Sequence, residues 1–418
     1  MRPDSYCHVC KGTRHMCGLD YCPILSKLAA MKRGAVHLLA ALSDQKDGIQ
    51  PAGGQKVQES LGKKTVFGES AEVFVGSFGY PSVSWGPVLP LKEYAGEREI
   101  YEMGYEKIIE HRVNVVRGKR YGGIRPDGRI LEETQDVAMS VRPIDVEMMF
   151  TKEPVFNPKF SSVAQPIGAS GTMKDVRLCE NPKIPKKTDE LLHEKARARE
   201  IATEMFEAGL DNYYITKVLS AGLLGLKENR KMVPTRWSIT ATDDMLGKHL
   251  MERVREYPEV GGFYVLSHES LSNHFEILVM PGKWEFENFE AWAPGTIWTL
   301  GSANFRVSEE YEAFEGRATY AESQAGGYYA VRIGVLEFLE RIRKQGRVVS
   351  IREIYEGYQV PVGVFQVREN VRDATLSVRK YSTLAEALAS AGSRLRKSIS
   401  EYVTRSKILT QRRLDEFF

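Results

Sequence analysis

No part of this sequence limits the fold more than its first 22 residues, which contain four of the five cysteines. In the segment CHVCKGTRHMCGLDYC the spacing is C-x2-C-x6-C-x4-C. The first pair lets two thiolates on one tight turn reach a single ion, and the second pair completes the tetrahedral set that zinc prefers. Two disulfides are the alternative, but the chain shows no secretion signal. The sequence therefore predicts a closed, structural zinc knuckle with the ligands Cys7, Cys10, Cys17 and Cys22.

The length and composition predict an ordinary globular protein. The 418 residues are 42% hydrophobic and 27% charged, enough for two or three domains. No run of 18 or more apolar residues and no signal-peptide pattern is visible, so we expect a cytoplasmic protein without a membrane partner. The net charge is only +3, but residues 1–35 hold six Lys/Arg against two Asp/Glu, and residues 390–418 hold seven against three. Basic ends are compatible with a nucleic-acid partner.

The hydrophobic pattern predicts an α+β fold with a mixed α/β body. Three segments with a period of two, GGFYVLSH, HFEILVM and WEFENFEAW, indicate an antiparallel meander. A helix is expected over residues 243–256, with Thr242 as its N-cap. Thr383 and Glu386 form a capping box that predicts a long C-terminal helix. The predicted domains are a knuckle, an α+β main domain, a C-terminal domain ending in that helix, and a terminal peptide, at residues 1–35, 36–300, 301–410 and 411–418.

The last eight residues, QRRLDEFF, follow the pattern Q-x-x-h-x-x-a-a of flexible tails that dock on the sliding clamp (PCNA). One tight 3₁₀ turn brings the leucine and both phenylalanines to one side, where they form an apolar plug. A few buried aromatic residues carry most of the energy of an interface, so a short tail is sufficient. The alternative is that the rings fold back on the protein's own surface. We expect the clamp contacts to be Gln411, Leu414, Phe417 and Phe418.

The chain resembles the archaeal Nre family of DNA-repair proteins over nearly its whole length. The resemblance rests on the cysteine knuckle, the terminal peptide and the segments VFGES, VGSFGYPSVSWGP, MSVRPIDVEMMF and PTRWSITATDD. It implies a role in the response to DNA damage and association with the sliding clamp. The four cysteines would be the family's zinc ligands, and the terminal peptide would make its clamp contact. The resemblance does not imply a reaction.

A second metal site is a weaker hypothesis for the body of the chain. His274 and Glu276 are two residues apart on a predicted strand and share a face, and His268 is expected across the hairpin from His274. With Asp243 or Asp244 nearby, such a set would hold one or two further divalent ions that activate water and stabilise a phosphoryl group. Ordinary solvated histidines and helix-start carboxylates are the alternative.

An anion site would complete such an enzyme. The loop GSFGYPSVSWGP offers backbone N–H groups, and Arg142 or Arg236 would hold the anion. The main hypothesis is therefore a DNA-repair factor recruited by the clamp, and the alternative is a metal-dependent phosphohydrolase acting on a nucleotide or a DNA end. A third hypothesis is an adaptor whose basic ends bind DNA phosphates.

Overall fold

The structure is a computed structural model. Apart from isolated positions between residues 22 and 33, it describes residues 64–91, 94–156, 167–296, 298–299, 302–358 and 360–411. These residues divide into two compact units, and the boundary between Leu246 and Gly247 falls within one helix. We call them the N-terminal unit and the C-terminal unit. The helices found in these ranges are all too short or too polar to cross a bilayer. The domain limits given above stay predictions.

The N-terminal unit contains a six-stranded sheet and several helices. Its strands are β1 (Thr65–Ser70), β2 (Glu72–Val75), β3 (Ser82–Pro90), β4 (Val115–Gly123), β5 (Ile144–Phe150) and β6 (Ala169–Leu178). Its helices are α1 (Glu97–Glu102), α2 (Tyr105–Val113), α3 (Arg129–Met139), α4 (Lys186–Leu192), α5 (Ala198–Glu207), α6 (Asn212–Ser220) and the start of α7 (Thr235–Val254), with a 3₁₀ turn at Lys227–Asn229.

The strand order of the N-terminal sheet is β1-β5-β6-β4-β3-β2, and only the β4–β6 pair among these is parallel. At the β2 edge, Val75, Val83 and Trp85 pack with Met232 in a small buried cluster. The end of β2 is tied to the start of α7, because the backbone N–H of Val75 donates to Oγ1 of Thr235 at 2.9 Å. This edge therefore joins three segments that are distant in the sequence.

The C-terminal unit contains a second six-stranded sheet. Its strands are β7 (Phe263–Ser270), β8 (Asn273–Met280), β9 (Glu285–Trp292), β10 (Arg306–Glu312), β11 (Arg347–Ile354) and β12 (Val378–Tyr381). Its helices after α7 are α8 (Gly326–Ile342), α9 (Phe365–Ala374), α10 (Leu384–Gly392), α11 (Ile399–Arg405) and α12 (Lys407–Thr410).

The predicted meander is only partly correct. Strands β7 and β8 form the expected antiparallel hairpin, but the sheet order is β10-β9-β11-β8-β7-β12. Strand β11 lies between β8 and β9, antiparallel to the first and parallel to the second. A parallel neighbour needs a long crossover connection, which helix α8 supplies here. Local periodicity locates the strands, but it does not show that β9 pairs with β11, which begins 55 residues after β9 ends (Trp292 to Arg347).

The predicted long C-terminal helix is wrong. The capping box of Thr383 is present, but α10 ends at Gly392, and two further short helices follow. A Cβ atom at Gly392 would lie 2.9 Å from Cγ2 of Ile399, so the chain folds back closely at this glycine. The apolar residues expected to line that one helix, such as Leu384, Leu388, Ile399 and Tyr402, lie on α10 and α11 and pack on one face of the sheet.

Helix α7 begins earlier than the sequence predicts. It starts at Thr235, after Pro234, so Thr242 lies inside the helix and is not its N-cap. The first turns carry Ser, Ile and Thr, which have low helix propensity. Ser238 and Thr242 are fully buried, and packing of this kind overrides weak local propensity.

Candidate functional site

The hairpin of β7 and β8 presents a line of polar residues on one face of the C-terminal sheet. Leu271 and Ser272 form its two-residue turn with φ of 52° and 55°, the left-handed values of a tight hairpin. This turn fixes the register, in which Glu269 is opposite His274, and Ser267 is opposite Glu276. Residues directly opposite each other share a face, so these four side chains lie together.

The carboxylate of Glu276 is fully buried and accepts several hydrogen bonds. Arg394, which follows α10, donates to both carboxylate oxygens at 2.7 Å, and Ser267 donates at 2.6 Å. Nε2 of His274 lies 2.8 Å from the same carboxylate. Burial alone would raise the pKa of Glu276, but the bonds from Arg394, His274 and Ser267 outweigh it and lower that pKa. Glu276 is thus an ionised anchor for the chain after α10.

His268 does not join His274, contrary to the prediction. In the observed register His268 is opposite Phe275, so its side chain projects from the other face of the sheet. There its Nε2 lies 3.6 Å from a carboxylate oxygen of Asp373 in α9. Pairing His268 with His274 would need a register shifted by one residue from the observed one. A shift of one residue in a hairpin moves a side chain to the opposite face.

The predicted aspartates belong to a different unit. Asp243 and Asp244 lie in the middle of α7, within the N-terminal unit, and not at a helix start. Within the ranges that the structure describes, no group of three or more His, Cys, Asp or Glu side chains is placed to hold a metal ion. The catalytic metal site stays a prediction.

A second buried carboxylate, Glu353 on β11, holds the segment between α10 and α11. It accepts the backbone N–H groups of Arg396 at 2.8 Å and Lys397 at 3.0 Å. It also accepts the hydroxyl hydrogens of Tyr355 at 2.9 Å and Tyr402 at 2.8 Å. Burial, followed by the charge of Glu353, raises the pKa of both tyrosines, so they remain donors at neutral pH.

A third buried carboxylate, Glu287 on β9, holds the last helix. The hydroxyl of Ser406 and the backbone N–H groups of Lys407 (2.9 Å) and Ile408 (3.4 Å) donate to it. These are the groups at the start of α12, where a negative charge is favoured by the helix dipole. Burial raises the pKa of Glu287, and the bonds from α12 only partly oppose it. Arg347 on β11 donates to the carbonyl of Ile408.

The predicted clamp-binding peptide begins where this docked segment ends. Helix α12 ends at Thr410, and Gln411, the next residue, is exposed. Ile408 is buried and Leu409 packs against the core, so the chain is fixed up to two residues before Gln411. Cys22 is partly buried. The other predicted zinc and clamp residues lie outside the described residues: Cys7, Cys10, Cys17, Leu414, Phe417 and Phe418.

The two arginines of the predicted anion site lie in the N-terminal unit. Arg142 is exposed beyond the end of α3, where the hydroxyl of Ser140 donates to its carbonyl at 2.8 Å. Arg236 is exposed in the first turn of α7, next to the loop that follows β2. The anion site itself stays a prediction.

Arg394 and Ser406 are the residues that sequence reasoning missed. The available signal was a glutamate inside an otherwise apolar strand, as in HFEILVM and WEFENFEAW. Such a carboxylate needs donors when it is buried, and these had to come from elsewhere in the chain.

Two family models together match most of the chain. The model described as Archaeal Nre, N-terminal, matches residues 52–299, and Archaeal Nre, C-terminal, matches residues 312–417. No solved structure matches the chain significantly.

Three relatives are similar over most of their length. DNA repair protein NreB of Archaeoglobus fulgidus is 31% identical over 423 residues, which cover 98% of this chain and 99% of that protein. DNA repair protein NreA of the same organism is 29% identical, with 93% of each chain covered. DNA repair protein NreA of Haloferax volcanii is 35% identical, covering 73% of this chain and 77% of its own. These matches, which span both units, show that the chain belongs to the archaeal Nre family.

Proposed function

We propose that this protein acts in DNA repair and is recruited by the sliding clamp (PCNA), which binds residues 411–418. Two independent facts support the proposal. The similar proteins are named DNA repair proteins. The terminal peptide has the spacing of a clamp-binding peptide, with the glutamine three residues before the leucine and six and seven before the two rings.

The observation that carries the proposal is the position of Gln411. The three buried carboxylates of the C-terminal sheet, Glu276, Glu353 and Glu287, hold the chain from Arg394 to Ile408. Gln411 is exposed immediately afterwards. In the sequence, the proposed clamp-binding residues therefore follow directly after a segment that the folded unit holds in place.

This arrangement has a physical consequence for recruitment. A short connection keeps two tethered bodies at a high effective concentration, whereas a long flexible one lowers it. The C-terminal unit would thus be held within a few residues of the clamp surface, where the DNA passes. Arg412 and Arg413 would raise the association rate with an acidic clamp surface, more than the affinity.

The clamp interaction is tested by calorimetry with the purified clamp and the full-length protein. The double variant F417A/F418A is expected to weaken binding about 30-fold or more, because buried aromatic anchors dominate such interfaces. The matched control is R412A/R413A, which keeps the rings and should lose mainly association rate at low salt. Unchanged affinity of the ring variant would contradict recruitment through this peptide.

The role in repair is tested separately in cells. A strain that carries F417A/F418A should survive DNA-damaging treatment less well than one that carries R412A/R413A at equal protein levels. Equal survival of the two strains and of the wild type would mean that recruitment is not needed for repair.

We also propose that Cys7, Cys10, Cys17 and Cys22 bind one structural zinc ion. The support is their number and spacing, which fill a tetrahedral site with thiolates. Elemental analysis of the purified protein should give one zinc per chain, lost in C7S/C10S, whereas C179S should keep it. Zinc retained in C7S/C10S would exclude these ligands.

A further inference from the structure

The β2 edge of the N-terminal sheet carries an unusual concentration of exposed aromatic rings. The exposed fractions are 98% for Phe78, 40% for Tyr80, 63% for Tyr121 and 43% for Trp237. Among the described residues, these are four of the five exposed aromatic side chains, and the fifth, Tyr320, lies in the other unit. We call the four rings and the basic residues between them the aromatic edge.

Three chain segments form the aromatic edge, and hydrogen bonds hold them together. The loop and start of β3 (76–84) closes through Gly76 N–H to Ser84 O at 2.7 Å. The end of β4 and its loop (119–128) pairs with β3, and Ile124 O accepts from Met232 N–H at 2.7 Å. The third segment (231–237) leads into α7.

The rings lie close to one another within this frame. Tyr80 and Trp237 are in direct contact, with ring centroids 4.9 Å apart. Tyr121 is opposite Ser84, and Ser82 is opposite Gly123 at the end of the ladder. Two residue pairs correspond to roughly 7 Å along the strands, so Tyr121 is near the Phe78–Tyr80 turn. At Gly79 φ is +84°, and a Cβ would lie 2.8 Å from Ser82 O, so this tight turn requires glycine.

The charge of the aromatic edge is strongly positive. Its three segments contain five basic residues and a single acid, Asp127: Lys119, Arg120, Arg125, Lys231 and Arg236. Within the ranges that the structure describes, the exposed Arg120, Arg125 and Arg236 form no ion pair. Elsewhere on this unit the exposed Arg98, Arg129 and Arg177 do pair with carboxylates. Unpaired cations beside exposed rings are the composition of a single-strand binding surface.

We infer that the aromatic edge binds single-stranded DNA, with the rings stacking on unpaired bases and the arginines contacting phosphates. Exposed rings find a partner in unpaired bases, whereas the bases of a duplex are stacked on each other. The inference rests on the proposed role in repair, which brings the protein to DNA with exposed bases. On this inference the N-terminal unit binds the DNA, and the C-terminal residues 411–418 bind the clamp.

The test measures binding of the full-length protein to a fluorescent oligo(dT) by anisotropy, with a matched duplex and an oligo(U) of equal length. F78A and Y121A are each expected to weaken oligo(dT) binding about ten-fold or more, since each removes one stacking ring. Y320A is the matched control, because it removes an exposed ring from the other unit and should bind as the wild type does. Melting curves equal to that of the wild type establish that the variants fold.

The salt dependence tests the phosphate contacts. R236A is expected to reduce the slope of log affinity against log salt by about 0.7, the value for one contact with a single strand. R379A removes an exposed arginine of the other unit and should leave the slope unchanged. Equal effects of R236A and R379A would overturn the assignment of phosphate contacts to this edge.

Three other results would overturn the inference. The first is that the protein does not bind oligo(dT), and the second is that F78A/Y121A binds it with unchanged affinity; either would leave a protein as the partner of the edge. The third is tighter binding to the duplex or to oligo(U), which would assign the edge to duplex DNA or to RNA. F417A/F418A separates this inference from the proposed function, because that variant should lose the clamp and keep oligo(dT). If the tail proves irrelevant to clamp binding while F78A still weakens oligo(dT) binding, recruitment fails and the inference stands.

Discussion

Charged side chains are buried and hydrogen-bonded in the interior of the C-terminal sheet, but exposed at the edge of the N-terminal sheet. In the first, the buried Glu276, Glu287 and Glu353 each accept hydrogen bonds from the segment between Arg394 and Ile408. In the second, exposed arginines lie beside exposed rings, and Arg120 and Arg236 form no ion pair within the described ranges.

The difference separates charges that hold the fold from charges that are available to a ligand. A buried carboxylate without donors would be very costly, so its hydrogen bonds fix the segment that supplies them. An exposed arginine loses little solvation when a phosphate binds, so it can exchange water for a partner. The C-terminal sheet therefore anchors the tail, and the N-terminal edge remains open for binding.

The largest effect is expected when a buried pair is broken. R394A leaves Glu276 buried with only His274 and Ser267, and we expect it to lower the free energy of unfolding by about 3 kcal/mol. The matched control is R396A, because Arg396 pairs with Glu356 on the surface and such pairs contribute about 0–1 kcal/mol. Urea unfolding measures both. Equal losses would mean that Glu276 is not the anchor described here.

The same pair predicts a pH dependence. The folded-state pKa of Glu276 is lowered, so its contribution is present above the pKa of an unfolded glutamate and is lost as the pH falls through the folded value. The stability difference between wild type and R394A should therefore shrink in acid. Urea midpoints across the acidic range measure it. A difference that grows in acid would reverse the assigned sign.

A smaller effect is expected at the cap of the last helix. Ser406 accepts the N–H of Leu409 at 3.0 Å and donates to Glu287. S406A should lower the free energy of unfolding by about 1–2 kcal/mol, in the range of a lost N-cap. The control is S400A, which changes an exposed serine of α11. Clamp affinity should stay near the wild-type value in both, because the tail itself makes the contacts. A large loss in S406A would show that helix α12 takes part in binding.

The smallest effect on stability is expected at the aromatic edge. F78A and R236A remove exposed groups, so each should change the free energy of unfolding by less than about 0.5 kcal/mol. Urea unfolding under the same conditions as for R394A makes the comparison direct. A loss as large as that of R394A would mean that the edge is part of the fold and not a binding surface.

Much of the local structure was accessible from the sequence. Period-two segments located β7, β8 and β9, and the capping box of Thr383 marked the start of α10. The errors concern features that local patterns do not encode. The two-residue turn places His268 on the face of the sheet opposite to His274, where the sequence did not predict it. Strand β11 lies between β8 and β9, which were expected to be neighbours. Apolar residues at helical spacing also look the same in the sequence whether they belong to one helix or to two consecutive ones.

The sequence by itself determined the family, because the motifs that mark the family are spread along the chain and can be read directly from the residues. It also determined the strands and caps, since these follow from the near neighbours of each residue. Only the tertiary structure decided that Glu276 pairs with Arg394, 118 residues away, and that four exposed rings from three segments lie on one edge. Donors for a buried charge, and neighbours for an exposed ring, are set by how distant segments pack, and no local pattern records that packing.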